Sequence, residues 1–405
     1  MKRMFLIGIV LGAALVGCGR DDNPSVNSRI DVPTAAIPEG VDEGCNNLPV
    51  GDEFERVDNY TPEFSDPADI DNPLFPVGVL DRATSVGVED GQVVRTETTR
   101  LKGTKTVTLD NGTRLPTVRV RTIEWRDGNL AEVTTDYYAQ DDIGAVWYLG
   151  EDVAHYEDGR LVDNEGSWLA GPDVSPGMVM PANPQLGDVW RPENNCGLAF
   201  EDVTLLEEDV TVEGPRGTIT NAVRLRVLDM DGTVEEKIFA PGYGELSAGT
   251  DPDIVSTSVA IPADRLPGAT PEAIRSMYGY AEFLANFAAF RRWPGLADIA
   301  AKLRTRFEAY QATGIPPLLE AAMFDALDDL DSAIGGQDAT AAIQAAIDIE
   351  MALLDLRLPY ENSWVIDVAR IKVWERRLAL DRHLGDTDAV RSDLATIEAL
   401  KKLLS

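Results

Sequence analysis

The chain has 405 residues, 69 acidic and 36 basic side chains, and a formal net charge of −33. Such a surface repels nucleic acid and anionic lipid headgroups, so nucleic acid is not expected as a partner. A hydrophobic fraction of 44% is ordinary for a globular protein, and the length suggests two or three domains.

Lys2 and Arg3 precede an apolar run from Met4 to Val16. The run is too short to span a bilayer core of ~30 Å as a helix and suits a signal peptide. It ends in Leu15-Val16-Gly17-Cys18, which resembles a bacterial lipobox. A small residue at Gly17 gives a peptidase access, and the Cys18 thiol takes the lipid. Residues 1–17 are therefore read as a signal peptide and Cys18 as the lipidation site. The expected partner is a membrane, reached through more than one acyl chain, because a single chain binds only marginally. Gly19 follows the cysteine where an aspartate would retain the protein at the inner membrane. The expected location is the cell envelope, at the outer membrane, facing the periplasm or the cell surface.

With Cys18 lipidated, Cys45 and Cys196 remain as a pair. An exported protein tolerates disulfides, so a Cys45–Cys196 bridge is expected to pin the N-terminal segment to the next domain. Residues 18–45 read as a flexible tether, rich in Asp, Asn, Pro, Ser and Gly. Residues 46–72 carry scattered aromatics and are expected to wrap an edge of that domain.

Residues 46–262 form the expected β domain. Asp90-Gly91, Asn111-Gly112, Asp127-Gly128, Asp158-Gly159 and Asp231-Gly232 are hairpin-turn pairs. Between them the pattern alternates: Val223, Leu225 and Val227 oppose Arg224 and Arg226, and Val118 and Val120 oppose Arg119 and Arg121. This texture predicts an antiparallel meander of about ten to twelve strands, forming a sandwich or a closed or half-open barrel. From Ala263 to Ser405 the period turns helical. Leu319, Met323, Ala326, Leu330 and Ala333 form one stripe; Ala339, Ile343, Ala346 and Met351 a second; Val390, Leu394, Ile397 and Leu404 a third. Thr270-Pro271 and Asp386 or Thr387 fit N-caps, and Gly335-Gly336 is read as a break. The fold class is segregated α+β, with six helices in a C-terminal bundle or array.

Four blocks stand in order: DYYAQDDIGAVWYLGE at 136–151, GSWLAG at 166–171, PGMVMPANPQLGD at 176–188 and EEKIFAPGYGEL at 235–246. Together they resemble an uncharacterised family of secreted bacterial and archaeal proteins, over roughly residues 73–250. The chain departs from that pattern at Ala145, where the family has Asn, and at Phe239, where it has Tyr. The resemblance implies a β fold and no activity.

The densest group of candidate ligand-binding residues is Tyr138, Gln140, Asp141, Trp147, Tyr148, Glu151 and Trp168, with Tyr137 beside it. Aromatics beside carboxyl and amide groups can line a pocket. Trp147 and Tyr148 must face opposite sides of a strand, so at most one of them points into a common cavity. Asp141 to Gly144 reads as a hairpin turn. Two histidines, His155 and His383, leave little scope for a His-based zinc site or a Ser-His-Asp triad. Asp229-Met230-Asp231-Gly232 lacks the ligand spacing of a calcium loop and reads as a turn. Asp325, Asp328 and Asp329 share a helical face, with Asp331 close by. No cofactor or metal site is expected.

The favoured reading is a non-enzymatic envelope lipoprotein that binds a small apolar ligand or an envelope protein. Two alternatives stand beside it. One is a carboxylate-dependent hydrolase of envelope glycans using Asp141 and Glu151. The other is divalent-cation capture by the acidic helical face.

Overall fold

The computed structural model describes Cys45 and residues 48–404. The signal segment, Cys18 and the tether up to residue 44 lie outside the described residues. From Leu48 to Leu80 the chain runs over the sheet without forming a strand of its own, touching it through a bridge from Arg56 to Val189.

Among the described residues there are fifteen strands. They are β1 (Arg82–Glu89), β2 (Gln92–Thr108), β3 (Arg114–Arg126), β4 (Asn129–Gln140), β5 (Val146–Glu157), β6 (Arg160–Asp163), β7 (Trp168–Leu169), β8 (Gly177–Met180), β9 (Val189–Trp190), β10 (Asn194–Asn195), β11 (Ala199–Gly214), β12 (Gly217–Asp229), β13 (Val234–Ala240), β14 (Gly244–Thr250) and β15 (Asp253–Ile261). All fifteen belong to one antiparallel sheet, ordered β10-β11-β12-β13-β14-β15-β1-β2-β3-β4-β5-β6. That path has twelve strands, within the number expected; the sheet has three more, β7, β8 and β9, which pair off the path and are too short to show a period. At Asp90-Gly91, Asp127-Gly128 and Asp158-Gly159 both residues have positive φ, the twist that matches hairpin strands.

The sheet is not closed into a barrel by its main path. Instead β8 pairs with β5 and β9 with β11, and the two short strands meet. Met178 N–H donates to the Arg191 carbonyl at 2.9 Å, and Trp190 Nε1 donates to the Val179 carbonyl at 3.2 Å. The two wings thereby face each other. Their shared core joins Val118, Tyr138 and Tyr148 of one wing to Val203, Leu225 and Phe239 of the other. Phe75 wedges between them, 5.0 Å from the Tyr138 ring and 6.4 Å from Phe239. The Cys45–Cys196 disulfide ties the N-terminal segment to the β10–β11 turn.

Six helices follow among the described residues: α1 (Glu272–Ala289), α2 (Trp293–Gln311), α3 (Pro317–Gly336), α4 (Ala339–Arg357), α5 (Ser363–Leu384) and α6 (Thr387–Leu403). None is long and apolar enough to cross a membrane. The α3 stripe is buried as expected, from Leu319 to Ala333. Gly335 and Gly336 do not break α3 but complete its last turn, and Gln337 takes the left-handed position after it. Pro271 itself is the N-cap of α1, one residue beyond the expected Thr270, whereas Asp386 caps α6 by accepting from Asp388 and Ala389 N–H.

The α6 stripe differs from expectation. Leu394 and Leu404 are exposed, and the inward face carries Ser392, Asp393 and Thr396 beside Ile397 and Leu400. The reason is polar docking onto the sheet. Leu130 N–H donates to Ser392 Oγ at 2.7 Å, and Trp125 Nε1 donates to Thr396 Oγ1 at 3.0 Å. Trp125 also stacks on Trp374 of α5 at 5.8 Å, so the outer face of β3 and β4 shares a core with α5 and α6.

Candidate functional site

The sheet has two faces with opposite chemistry. On the outer face, β1 and β2 send Arg82, Arg95 and Glu97 toward the helices, where Asp355 of α4 and Asp367 and Arg370 of α5 meet them. Arg370 reaches Glu97 at 2.8 Å and Asp355 at 2.6 Å; Arg82 reaches Glu97 at 3.0 Å and Asp367 at 2.9 Å. Arg95 joins Glu97 at 2.7 Å to Asp355 at 2.8 Å. Three guanidinium groups face three carboxylates, so the buried charge is balanced. Burial pushes the Glu97 carboxyl up, but Arg370, Arg95 and Arg82 pull it further down, below its ordinary value. Asp355 behaves likewise between Arg95 and Arg370, whereas for Asp367 burial outweighs Arg82 and Arg370 and its carboxyl lies above the ordinary value.

On the inner face the balance fails. Asp136 on β4, Glu151 on β5, Glu193 before β10, Glu201 on β11, and Asp229 and Glu235 at the β12–β13 hairpin are all buried, with Lys237 the buried cation among them. Lys237 holds Glu235 at 2.8 Å. Register places Glu151 opposite Asp136, and Glu201 opposite Asp229. The Tyr148 hydroxyl donates its one proton to Asp136 at 2.8 Å, which leaves both Glu151 oxygens without a hydrogen-bond partner. Trp168 Nε1 serves one Glu193 oxygen at 2.9 Å and the other has none.

Burial, then the mutual repulsion of neighbouring acids, raises Glu151, Glu193 and Asp229 well above ordinary values. Asp136 is also raised well above its ordinary value, by burial above all, with Glu132 adding to it. Glu201 is raised by burial against the pull of Lys237. Charges this close and this dry cannot all ionise.

One part of this face opens to solvent. A half-open cavity of about 100 Å³ is lined by Phe75, Pro76, Val77 and Leu80 from the N-terminal segment, by Thr96, Thr98 and Thr122 from β2 and β3, and by Asp136, Tyr138, Tyr243 and Glu245. Glu245 Oε2 is buried without a hydrogen-bond partner, and burial pushes the Glu245 carboxyl up to about 7 despite Lys237.

Of the residues expected at a site, Tyr138, Tyr148, Glu151 and Trp168 come together on this inner face. The Tyr138 and Tyr148 rings stack at 5.0 Å, and Trp168 meets Tyr148 edge-on at 5.2 Å. Tyr138 lines the cavity; Tyr148 stands behind it. Gln140, Asp141 and Trp147 have other work. Asp141 accepts from Trp147 Nε1 at 2.9 Å, from Ala145 N–H at 2.8 Å and from the Tyr60 hydroxyl. Gln140 Oε1 accepts from the N–H groups of Asp71 and Asn72, both at 3.0 Å. These residues anchor the N-terminal segment, and Asp141 is not brought together with Glu151.

His155 pairs with Glu132 at 3.1 Å, while Asp328 and Asp331 on the acidic helix both hold Arg304. The Asp229–Thr233 stretch is a hairpin turn, with Asp229 N–H donating to the Thr233 carbonyl at 2.9 Å.

The sequence reading missed Asp136, Glu193, Glu201, Asp229, Glu235, Lys237 and Glu245. A signal existed: the inward series Val223, Leu225 and Val227 continues to Asp229 by the same step of two. Among the described residues, no three carboxyl, histidine or cysteine groups converge as a metal ion requires. Fold and site define a segregated α+β protein with a cupped, acid-lined sheet. In comparisons with known proteins, the chain matches no family model, no curated protein and no solved structure.

Proposed function

We propose that this chain is an exported cell-envelope protein, anchored through Cys18, whose β domain binds a small ligand rather than transforming one. The observation that carries this reading is the half-open cavity, where apolar side chains and hydroxyls surround the buried carboxyl of Asp136. A pocket of mixed lining with a few convergent polar groups suits selective binding. The Cys45–Cys196 disulfide supports a compartment outside the reducing cytoplasm, as the signal segment and lipobox do. Its lipid anchoring and a position at the outer membrane belong to the same proposal.

Catalysis is less well supported. General acid–base chemistry needs a carboxyl within reach of substrate, and the Glu201–Asp229 pair is sealed in the core. The carboxyl of Asp141 is already taken by Tyr60, Trp147 and backbone N–H groups.

Native mass spectrometry of the protein from Gly19 onward, purified gently from its own host, tests the binding reading. A reproducible added mass that is lost when Tyr138→Ala or Thr98→Val alters the cavity is expected. A bare mass from every preparation, together with glycan cleavage abolished by Glu151→Gln, would replace binding with hydrolysis.

A further inference from the structure

The ligand class follows from the two carboxyls in the cavity lining, and this inference rests on the binding reading just proposed. Asp136 and Glu245 reach the cavity lining, and behind them lie Glu151, Glu193, Glu201, Asp229 and Glu235 with Lys237 as their nearest buried cation. One oxygen of Glu245, a lining residue, is buried and unpartnered, so the wall holds an unused acceptor. Buried acceptors without donors are costly, and a ligand that brings N–H groups and positive charge relieves both costs together.

Two kinds of cation can do so. A divalent metal needs several oxygens converging on one point at 2.3–2.6 Å for calcium. Among the described residues no such convergence exists. An ammonium group needs less: one or two carboxyls, a few hydroxyls and an aromatic face. Thr96, Thr98, Thr122, Ser85 and Thr257 supply hydroxyls, and Tyr138 and Tyr243 supply rings. Phe75, Val77 and Leu80 offer an apolar wall for the rest of the molecule. The small volume limits the part enclosed to a short chain or a single ring.

We infer that the cavity takes a small organic cation, a protonated primary amine, with its ammonium group between Asp136 and Glu245 and its apolar part against Phe75 and Leu80. The amine supplies the donors that Glu245 lacks, and its charge stabilises Asp136 in the ionised form.

Isothermal titration of the protein from Gly19 onward with phenethylamine and n-butylamine tests this, with n-butanol and calcium chloride as controls. The expected result is a Kd of about 0.1–1 mM for phenethylamine, a range consistent with the ligand efficiency of so small a molecule. n-Butanol should bind at least tenfold more weakly than n-butylamine. Asp136→Asn and Glu245→Gln should each weaken the amines tenfold or more. Both are near-isosteric, and an unchanged near-UV spectrum confirms the fold. If Asp136→Asn does not fold, Glu245→Gln decides alone. No amine binding, equal binding of n-butanol, or calcium binding in place of amine binding would each overturn the inference. A neutral molecule found by native mass spectrometry would also remove it, while leaving the binding reading intact.

Discussion

The two faces of the sheet bury charge in opposite ways. Against the helices, three arginines and three carboxylates form a closed set in which Glu97 and Asp355 are held ionised by their neighbours. Inside the cup, a row of acids faces Lys237, and the carboxyl groups are pushed toward the neutral form. The first arrangement needs nothing from outside and holds α4 and α5 on β1 and β2. The second is stable only while protons or a cation offset its repulsion. Burial alone therefore does not mark a functional site; burial without partners does so far better.

The comparison breaks most readily at Arg370. Arg370→Ala leaves three buried carboxylates to the two arginines Arg82 and Arg95, and one buried charge without compensation costs about 3–5 kcal/mol. Urea denaturation should show that loss, and limited proteolysis should show the helices released from the sheet. If the variant unfolds at the wild-type midpoint, the network does not hold the domains together.

Removing the disulfide should cost somewhat less. The bridge closes a separation of 151 residues, and Cys45→Ser with Cys196→Ser should lower stability by about 2–4 kcal/mol. The expected signature is early proteolysis between Leu48 and Leu80, with the helical domain spared.

Inside the cup the sign reverses. Glu201→Gln replaces a dry, repelled carboxyl by a neutral amide of the same shape. At pH 8 it should stabilise the protein by about 1–3 kcal/mol, measured by urea denaturation. A loss of similar size would mean that Glu201 works as an ionised partner of Lys237 instead.

Asp141→Asn sharpens the distinction between cavity and anchor. It keeps one acceptor but loses the charge that receives the Tyr60, Trp147 and Ala145 donors. A loss of about 1–2 kcal/mol and a shifted Trp147 fluorescence are expected, with amine binding unchanged. Altered amine affinity would place Asp141 in the ligand site.

The alternation at Val118–Arg121 and Val223–Val227, the Asp-Gly turns and the α3 stripe were legible because each depends on local spacing. The α6 face was not, since Ser392 and Thr396 dock through hydrogen bonds to Leu130 and Trp125, and hydrophobic periodicity is blind to such contacts. Four of the seven candidate residues are also found on one face. Tyr138, Tyr148, Glu151 and Trp168 do share a face, but Gln140, Asp141 and Trp147 belong to the neighbouring anchor. The acid row escaped notice because an acid in an alternating strand reads as solvent-facing. The step of two from Val227 does carry Asp229 inward, but only the strand register shows that Glu201 lies opposite it.

The central claim is that the inner acids are neutral or cation-bound in the folded protein. Their pKa values are raised on folding, so their contribution is fully present below the ordinary carboxyl range and is lost as pH rises through the raised values. Burial pulls the His155 imidazole down, but Glu132 holds it above its ordinary value, so its contribution is also lost as pH rises. The difference between wild type and the acid variants, not the wild-type fall alone, therefore reports on the cup. The most direct test is urea denaturation of the protein from Gly19 onward at intervals from pH 5.5 to 9, beside Glu151→Gln and Glu201→Gln. The account predicts a steady fall in stability with rising pH, flattened in both variants. Stability that is level or rising over that range, with no difference between wild type and variants, would contradict it.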